Sequence, residues 1–483
     1  MKRNLIAISI SAACALELSA ADNLADMFKE GKTSGYVRIH HIEPSMSKTV
    51  AATGSVIGGK LKYQTGAWSG LKAGVAAYTT HDTGLTKKSY RTRDGYSQVA
   101  QGLHGDDMGS YTTLGEAYLN YSLSKSDITL GRQEFATPMT QNAVTIIPNL
   151  FEGGVAKIKE IPDVTITLAH IDKMQYGTRA ATDAALIGDV VYGITAGAGY
   201  GFVSPAVNGT TGEITEGYGK EKFQKMSKAA FGDGVDGKGV SIAGVQYKKG
   251  PLELNLWDYY AHKSYNTIYG DGSYTIKAGD AKIVLGAQIL KQDDISSFKD
   301  SAGANELKKL ANVGFPKYAP PLRYRTKISE DGSIDAFVWG LQAKAMIDSW
   351  SFNLGYNDSK DGHVINAWGG DPLYTSTIFT RNAYRADTTA YKVGGEYDFG
   401  SLGLKGLKFS INHARYNSDV ETWVNANTKG DIRKEKSHET DYMLFYAVPS
   451  VKGLWFRLFH VDRKNETREY NQKHTRLIAN LSF

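Results

Sequence analysis

The chain has 483 residues, 41% of them hydrophobic, with 56 Lys and Arg against 50 Asp and Glu and a formal net charge of +6. So mild and evenly spread a charge excludes the basic footprint of a nucleic-acid binder, and no nucleic acid is expected as a partner. One cysteine excludes disulfides within the chain, and 52 Gly with 29 Tyr against 11 Pro favour strands, turns and aromatic surfaces over helices.

Residues 1–21 carry Lys2 and Arg3, an apolar run from Leu5 to Leu16, and small residues around Ser19, Ala20 and Ala21. This is the pattern of a secretory signal peptide with cleavage near Ala20 or Ala21. The competing reading, a lipoprotein signal on Cys14, meets Ser11 where leucine is wanted. Residues 22–33 then predict a short periplasmic segment: Leu24, Met27 and Phe28 stand at helical spacing before Gly31. Beyond the signal no apolar run is long enough for a membrane-spanning helix. A closed barrel can still cross a bilayer, because its strands satisfy one another's backbone groups.

From Gly35 onward the period is two. In FVWGLQAKAMIDSWSFNLGYND, Phe337, Trp339, Leu341, Ala343 and Ala345 alternate with Val338, Gly340, Gln342 and Lys344. After a turn at Ile347-Asp348, Trp350, Phe352, Leu354 and Tyr356 alternate with Ser351, Asn353 and Gly355. A pleated strand puts each set on one face, so the stretch predicts a hairpin. The same unit predicts strands near 35–43, 56–64, 70–80, 114–123, 127–134 and 152–159. It continues at 163–172, 238–247, 251–260, 273–278, 281–290 and 336–346, then at 349–357, 389–398, 405–416, 439–448, 452–463 and 473–483. That makes about eighteen strands, with 273–278 the weakest.

Short turns such as SKSD, KEIPD, KKGP, AGD and PSVKG alternate with long segments, the longest near 173–237 and 291–335. A transmembrane barrel has this asymmetry of periplasmic turns and external loops. Tyr63, Tyr121, Tyr247, Trp350 and Tyr397 lie near short turns, and Tyr78, Tyr260, Tyr356, Tyr391 and Tyr416 near long loops, as expected of two interfacial girdles. The chain ends on HTRLIANLSF, an amphipathic strand with Leu477, Ala479 and Leu481 on its oily face. Such an end suits a last strand that must close against the first. The expected fold is all-β: a closed antiparallel transmembrane barrel over residues 34–483, in the outer membrane of a Gram-negative bacterium.

With the barrel in place, LGRQEFATPMTQNAVTIIPNLFEGG (130–154) resembles a segment of the OprD-like family of outer-membrane porins. The matching residues are Gly131-Arg132-Gln133, Thr137-Pro138, Ile147-Pro148-Asn149 and Phe151-Glu152-Gly153. GDPLYTSTIFTRNAYRADTTAYKVGGEYDFGSLGLKGLKF (370–409) looks like that family's seventh external loop and following hairpin. The resemblance implies eighteen strands, a third loop folded into the lumen (about 135–151), and diffusion of carboxylates or amino acids past a basic ladder. Where family members commonly carry charge in that loop, this chain has the neutral Thr140-Gln141-Asn142-Ala143-Val144-Thr145.

Alternation places Arg38, Lys60, Lys62, Lys72, Lys282, Lys344, Lys392, Lys408, Arg457 and Arg476 inward, against Glu116, Glu253, Glu396 and Asp398. Such a bore concentrates anions. The alternative, in which these charges are solvated and paired without selecting, stays open. Strict alternation would point Arg132 at lipid; it sits at the rim, or a bulge at Gly131 re-aims it into the bore, the expectation followed here. The expected solute path comprises Arg132, Gln133, Gln141, Asn142, Asn149, Glu152, Lys344, Lys392 and Lys408, with Arg381 and Arg385 at the entrance. The expected partners are small hydrophilic solutes, outer-membrane lipid and the barrel-assembly machinery, with a homotrimer left open.

No enzyme constellation stands out, and neither catalytic residues, a metal nor a cofactor is expected. His40 and His41 are adjacent and face opposite ways on a strand. GDGVDG (232–237) lacks the spacing of a calcium loop, and GAGYGF (197–202) neither follows a clear strand nor opens a helix. His81, His104, His363 and His438 lie in predicted loops with no nucleophile motif beside them. A barrel enzyme of lipase or protease type and a surface adhesin remain the rival functions to a channel.

Overall fold

The computed structural model describes residues 23–46, 53–86, 91–92, 95–96, 103–105, 109–141, 145–178, 221–226, 238–295, 323–325, 335–362, 364, 366, 368, 370–380, 387–425, 428–466 and 470–483. The signal segment, Asn142, His363, Arg381, Arg385, both glycine-rich stretches and most of 173–237 and 291–335 lie outside them.

Eighteen long strands close the barrel, and two short strands, Gln224–Lys225 and Arg323–Arg325, pair onto the same sheet. The long strands are β1 (Lys32–Met46), β2 (Gly54–Gln64), β3 (Leu71–Asp82), β4 (Tyr111–Leu123), β5 (Ser126–Gln133) and β6 (Leu150–Ile158). Next come β7 (Val164–Gln175), β8 (Val240–Lys249), β9 (Leu252–Ala261), β10 (Tyr265–Ala278), β11 (Ala281–Asp294) and β12 (Asp335–Ile347). The last are β13 (Trp350–Asp361), β14 (Thr388–Asp398), β15 (Leu407–Asn425), β16 (Thr428–Ala447), β17 (Leu454–Asn465) and β18 (Tyr470–Ser482). Each pairs antiparallel with its neighbour in the chain, and β18 returns to β1 from Tyr36↔Ser482 to Met46↔Gln472. Gly35 and Phe483 exchange backbone bonds at 3.0 and 3.1 Å, so the terminal phenylalanine finishes the seam. A closed sheet leaves no edge with unpaired N–H and C=O groups.

The two faces are inverted relative to a soluble protein. Val37, Leu61, Leu256, Leu341, Leu354, Leu477 and Leu481 are exposed, whereas Asn480, Asn357, Gln288 and Thr267 are buried. An exposed apolar band of this extent is accommodated by lipid. Tyr121 and Trp350 mark the periplasmic girdle, with Trp350 4.5 Å from Tyr397. Tyr356 lies 5.1 Å from Trp339 and 5.2 Å from Tyr391 at the external one.

The periplasmic turns are tight. Ser124 (φ 52°), Gly279 (φ 60°) and Asp348 (φ 50°) take the left-handed conformation that a short hairpin needs to match strand twist. The Glu160 carboxylate ties two turns together, accepting from Ser126 Oγ at 2.9 Å, Lys125 N at 3.0 Å and Ser124 Oγ at 3.2 Å. Those bonds, Ser126 foremost, hold its pKa below the usual carboxylate value. At the same mouth, the one-turn helix α1 (Leu24–Lys29) is capped by Asn23, whose side chain accepts from Asp26 N at 3.0 Å. Gly66 N donates to Met27 O at 2.8 Å, docking the helix on a turn.

Four expectations need correction. The strand expected at 273–278 begins at Tyr265, because glycines at the outward positions Gly270 and Gly272 and tyrosines at the inward positions Tyr265 and Tyr269 blur the alternation; the external turn before it, at 262–264, is short. β15 and β16 extend far beyond 416 and 439, where both faces are polar. Tyr78 and Tyr416 belong to no girdle, since both are fully buried and point inward. Gly131 does take φ 120°, but the β4–β5 register runs unbroken through Tyr118↔Gly131 and Ala117↔Arg132, so no bulge re-aims Arg132. The irregularities lie on the flanking strand pairs, between Ala76 and Ala77 and between Glu152 and Gly153.

Leu354 and Asn353 test the two-faced wall. Leu354→Arg is expected to cost about 2–4 kcal/mol in urea titrations of folding into vesicles, as for an arginine on the lipid face near the midplane. Asn353→Arg, facing the water-filled side, is expected to fold nearly as well as the wild type; equal costs would contradict the assignment of faces.

Candidate pore constriction

The third external segment leaves the wall after β5, a strand of only 8 residues. Phe135 packs edge-on against Phe151 at 6.3 Å, and Thr137–Thr140 closes a turn in which Gln141 N donates to Thr137 O at 2.9 Å. On β9, Tyr259 Oη donates to Thr137 Oγ1 at 2.9 Å. At the other end, Tyr36 Oη on β1 donates to Ile146 O at 2.7 Å. The Arg38 guanidinium donates to Thr145 O and, through Nε, to Asn480 Oδ1 at 2.9 Å. β9 and β1 stand nearly opposite each other around the ring, so the ends of this segment are fixed to facing walls.

The seventh external segment joins it. Gly370 N donates to Met139 O at 2.9 Å, and Asn149 Nδ2 donates to Trp368 O at 3.0 Å. A Cβ at position 370 would meet the Met139 backbone at 2.5 Å, so only glycine permits this approach. Trp368 is buried against Tyr259 at 5.5 Å and Tyr265 at 6.1 Å. Farther along, Thr375 N donates to Asn357 Oδ1 at 3.0 Å, and Tyr416 Oη donates to Thr375 O at 2.8 Å. Glu439 on β16 accepts from Phe379 N at 2.8 Å, Thr380 N at 2.9 Å and Thr380 Oγ1 at 2.7 Å. Asp441, one inward step along, accepts from Ile378 N at 3.1 Å.

The acids inside the barrel are engaged. Glu116 bridges Lys60 and Lys62, each at 2.6 Å, and Glu134 meets Lys60 at 2.7 Å. Tyr78 Oη donates to both carboxylates, at 2.7 and 2.6 Å. Lys408 lies 3.0 Å from Asp398 and 3.5 Å from Glu396, near the periplasmic end. Lys392 Nζ donates to Ser376 O at 3.0 Å, and Lys344 faces inward one step lower on the same wall, opposite Asn353. Arg476 lies over the rings of Phe459 and Phe379, at 5.1 and 5.9 Å, with its Nε 3.1 Å from His474 Nε2.

The expected path residues therefore divide. Asn149 lies where the two inner segments meet each other, Lys392 lies on the wall under Ser376 with Lys344 one level below, and Gln141 sits exposed beside the Thr137 turn. The Gln133 amide lies along the wall, 3.4–3.5 Å from the carbonyls of Thr129, Gly131 and Gly153. Arg132 keeps the face of Leu130, donating to Glu152 at 2.8 Å, with Lys173 on the other side of that carboxylate and the Phe223 ring 4.4 Å away. Lys408 is below the inner segments, near the periplasmic end. Sequence reasoning missed Tyr36, Tyr78, Tyr259, Tyr416, Glu439 and Asp441, which do the anchoring. Inward carboxylates at Glu439 and Asp441, two residues apart on one strand, were the available signal.

A family model described as outer membrane porin, OprD family, matches residues 207–483. Three Pseudomonas aeruginosa structures resemble the chain. OpdK with vanillate has 16% identity and a TM-score of 0.65, over 95% of this chain and 99% of that one. OccK9 (OpdG) has 14% and 0.66 over 95% and 99%, and OccK3 (OpdO) has 15% and 0.64 over 95% and 97%. At these identities the likeness speaks for the fold alone. Among curated proteins no sequence match was found. Since the family model spans more than half of the chain, this protein belongs to the OprD family of outer-membrane porins and is an integral protein of the Gram-negative outer membrane.

Proposed function

We propose that the protein is a passive channel for small hydrophilic solutes, weakly selective for anions, carboxylates or zwitterionic amino acids, with no turnover chemistry and no cofactor. The observation that carries this reading is the placing of two lysines on adjacent levels of one inner wall while the acids of the wall are neutralised or bonded. Glu116, Glu396, Glu439 and Asp441 each have partners on the wall or the inner segments, and Lys344 and Lys392 stand one level apart, with Lys392 bonded to Ser376 O. In a narrow bore with low-dielectric walls, such cations raise the local concentration of anions. The solved OpdK carries vanillate, an aromatic carboxylate, which agrees in chemical class. Export through the N-terminal signal and insertion by the barrel-assembly machinery belong to the same reading, and trimeric association is not required by it.

The selectivity is read from the reversal potential across a planar bilayer under a salt gradient. The wild type is expected to favour anions, and Lys344→Gln with Lys392→Gln is expected to move the potential toward zero. Cation preference in the wild type would discard the reading.

The narrowing is tested at Glu439. Glu439→Ala removes the acceptor of three donors on Phe379 and Thr380, costing the segment about 1–3 kcal/mol for each buried group left unsatisfied. Single-channel conductance is expected to rise and become noisier. Unchanged conductance would mean that residues 370–380 do not limit the flow.

A further inference from the structure

On β15–β18 the outward apolar rows stop at Ile411, Tyr442, Leu458 and Leu477, all exposed. One step farther along each strand, two residues on, stand His413, Thr440, His460 and Thr475. They are joined across strands, His413 Nδ1 to Thr440 Oγ1 and His460 Nδ1 to Thr475 Oγ1, both at 2.8 Å. Beyond that level the same outward rows carry Arg415, Lys436, Lys464 and Lys473, against the carboxylates of Asp462 and Glu466. Glu466 is drawn between Arg415 at 3.4 Å and His438 at 3.1 Å, and Lys434 stands opposite Asp419. Among the described residues this quarter of the rim is net cationic at the level where hydrocarbon ends.

The sector formed by β11–β13 is different. There Lys291 pairs with Asp293 at 2.9 Å and with Asp335, and Lys360 pairs with Asp358 at 3.2 Å, so carboxylates outnumber lysines. Trp339, Tyr356 and Tyr391 mark the interface on that side. The positive excess is thus absent from the β11–β13 side.

We propose that the outward face of β15–β18 docks the phosphate-bearing glycolipid of the outer leaflet. A lipid fits the position, because acyl chains would cover the apolar rows below while phosphates meet the cations directly above. Charge-assisted donors suit phosphate oxygens, and the imidazole and hydroxyl groups at the boundary suit sugar oxygens. A second copy meeting this face through a two-fold axis would set like charges against each other, which disfavours that occupant. The assignment is independent of what the pore selects.

Native mass spectrometry of the full-length folded protein, incubated in micelles with diphosphorylated or dephosphorylated lipid A, tests the assignment. The diphosphorylated lipid is expected to stay bound under collision energies that strip the other. Lys464→Gln with Lys473→Gln is expected to lower its retention several-fold, and Lys291→Gln with Lys360→Gln to leave it unchanged. Heat-modifiable mobility reports folding, and Lys464→Gln alone serves if the double variant does not fold. Equal retention of the two lipids, equal loss in both variants, displacement by inorganic phosphate, or an oligomer that forms through Lys464 and Lys473 without lipid would each overturn the proposal.

Discussion

Every peptide group of a strand in lipid must find its partner within the protein, and this requirement governs the rest of the molecule. An unpaired N–H or C=O in hydrocarbon costs several kcal/mol. The sheet therefore closes, with β18 against β1 and Phe483 bonded to Gly35. Closure in turn fixes an inside, and alternation assigns every second residue to it. The polar residues that would be a liability on a soluble sheet's core face, such as Gln288 and Asn357, become the lining of the wall.

The barrel is not left empty: two segments from the external side reach inward and are bonded to its wall. Their anchoring follows a common scheme. Side chains on the wall supply the hydroxyl, guanidinium or carboxylate, and the inner segment supplies backbone groups: carbonyls at Thr145, Ile146, Thr375 and Ser376, and N–H groups at Ile378, Phe379 and Thr380. The two segments then clasp each other through Met139, Trp368 and Gly370. Because a buried backbone group without a partner is costly, each anchor satisfies a group that the inward position of its segment would otherwise leave unpaired.

The barrel was legible because period two, tight turns and a strand at the very end are local signals. Leu354 beside Asn353, or Leu481 beside Asn480, declares its face without any knowledge of the partner strand. The signal fades where apolar residues stand inward or glycines outward, which hid the start of β10 at Tyr265, and where polar residues crowd the strand, which hid the upper halves of β15 and β16. The inner segments were legible only in part. Asn149 meets Trp368 across 219 positions of sequence, and nothing local marks such a contact. Tyr78 and Tyr416 misled for a related reason: a tyrosine near a strand end serves equally well at a lipid interface or as an inward hydroxyl anchor, and only the register of its neighbours separates the two. Arg132 followed its alternation faithfully, and Glu152 and Lys173 form its surroundings.

Because the wall grips main-chain atoms at Ser376 and Ile378, an exchange of either side chain leaves the anchoring bond in place. Trp368, Asn149, Thr380 and Gly370 are different, since their side chains, or the lack of one, are part of the clasp, and the inner segments can vary freely only between these fixed points.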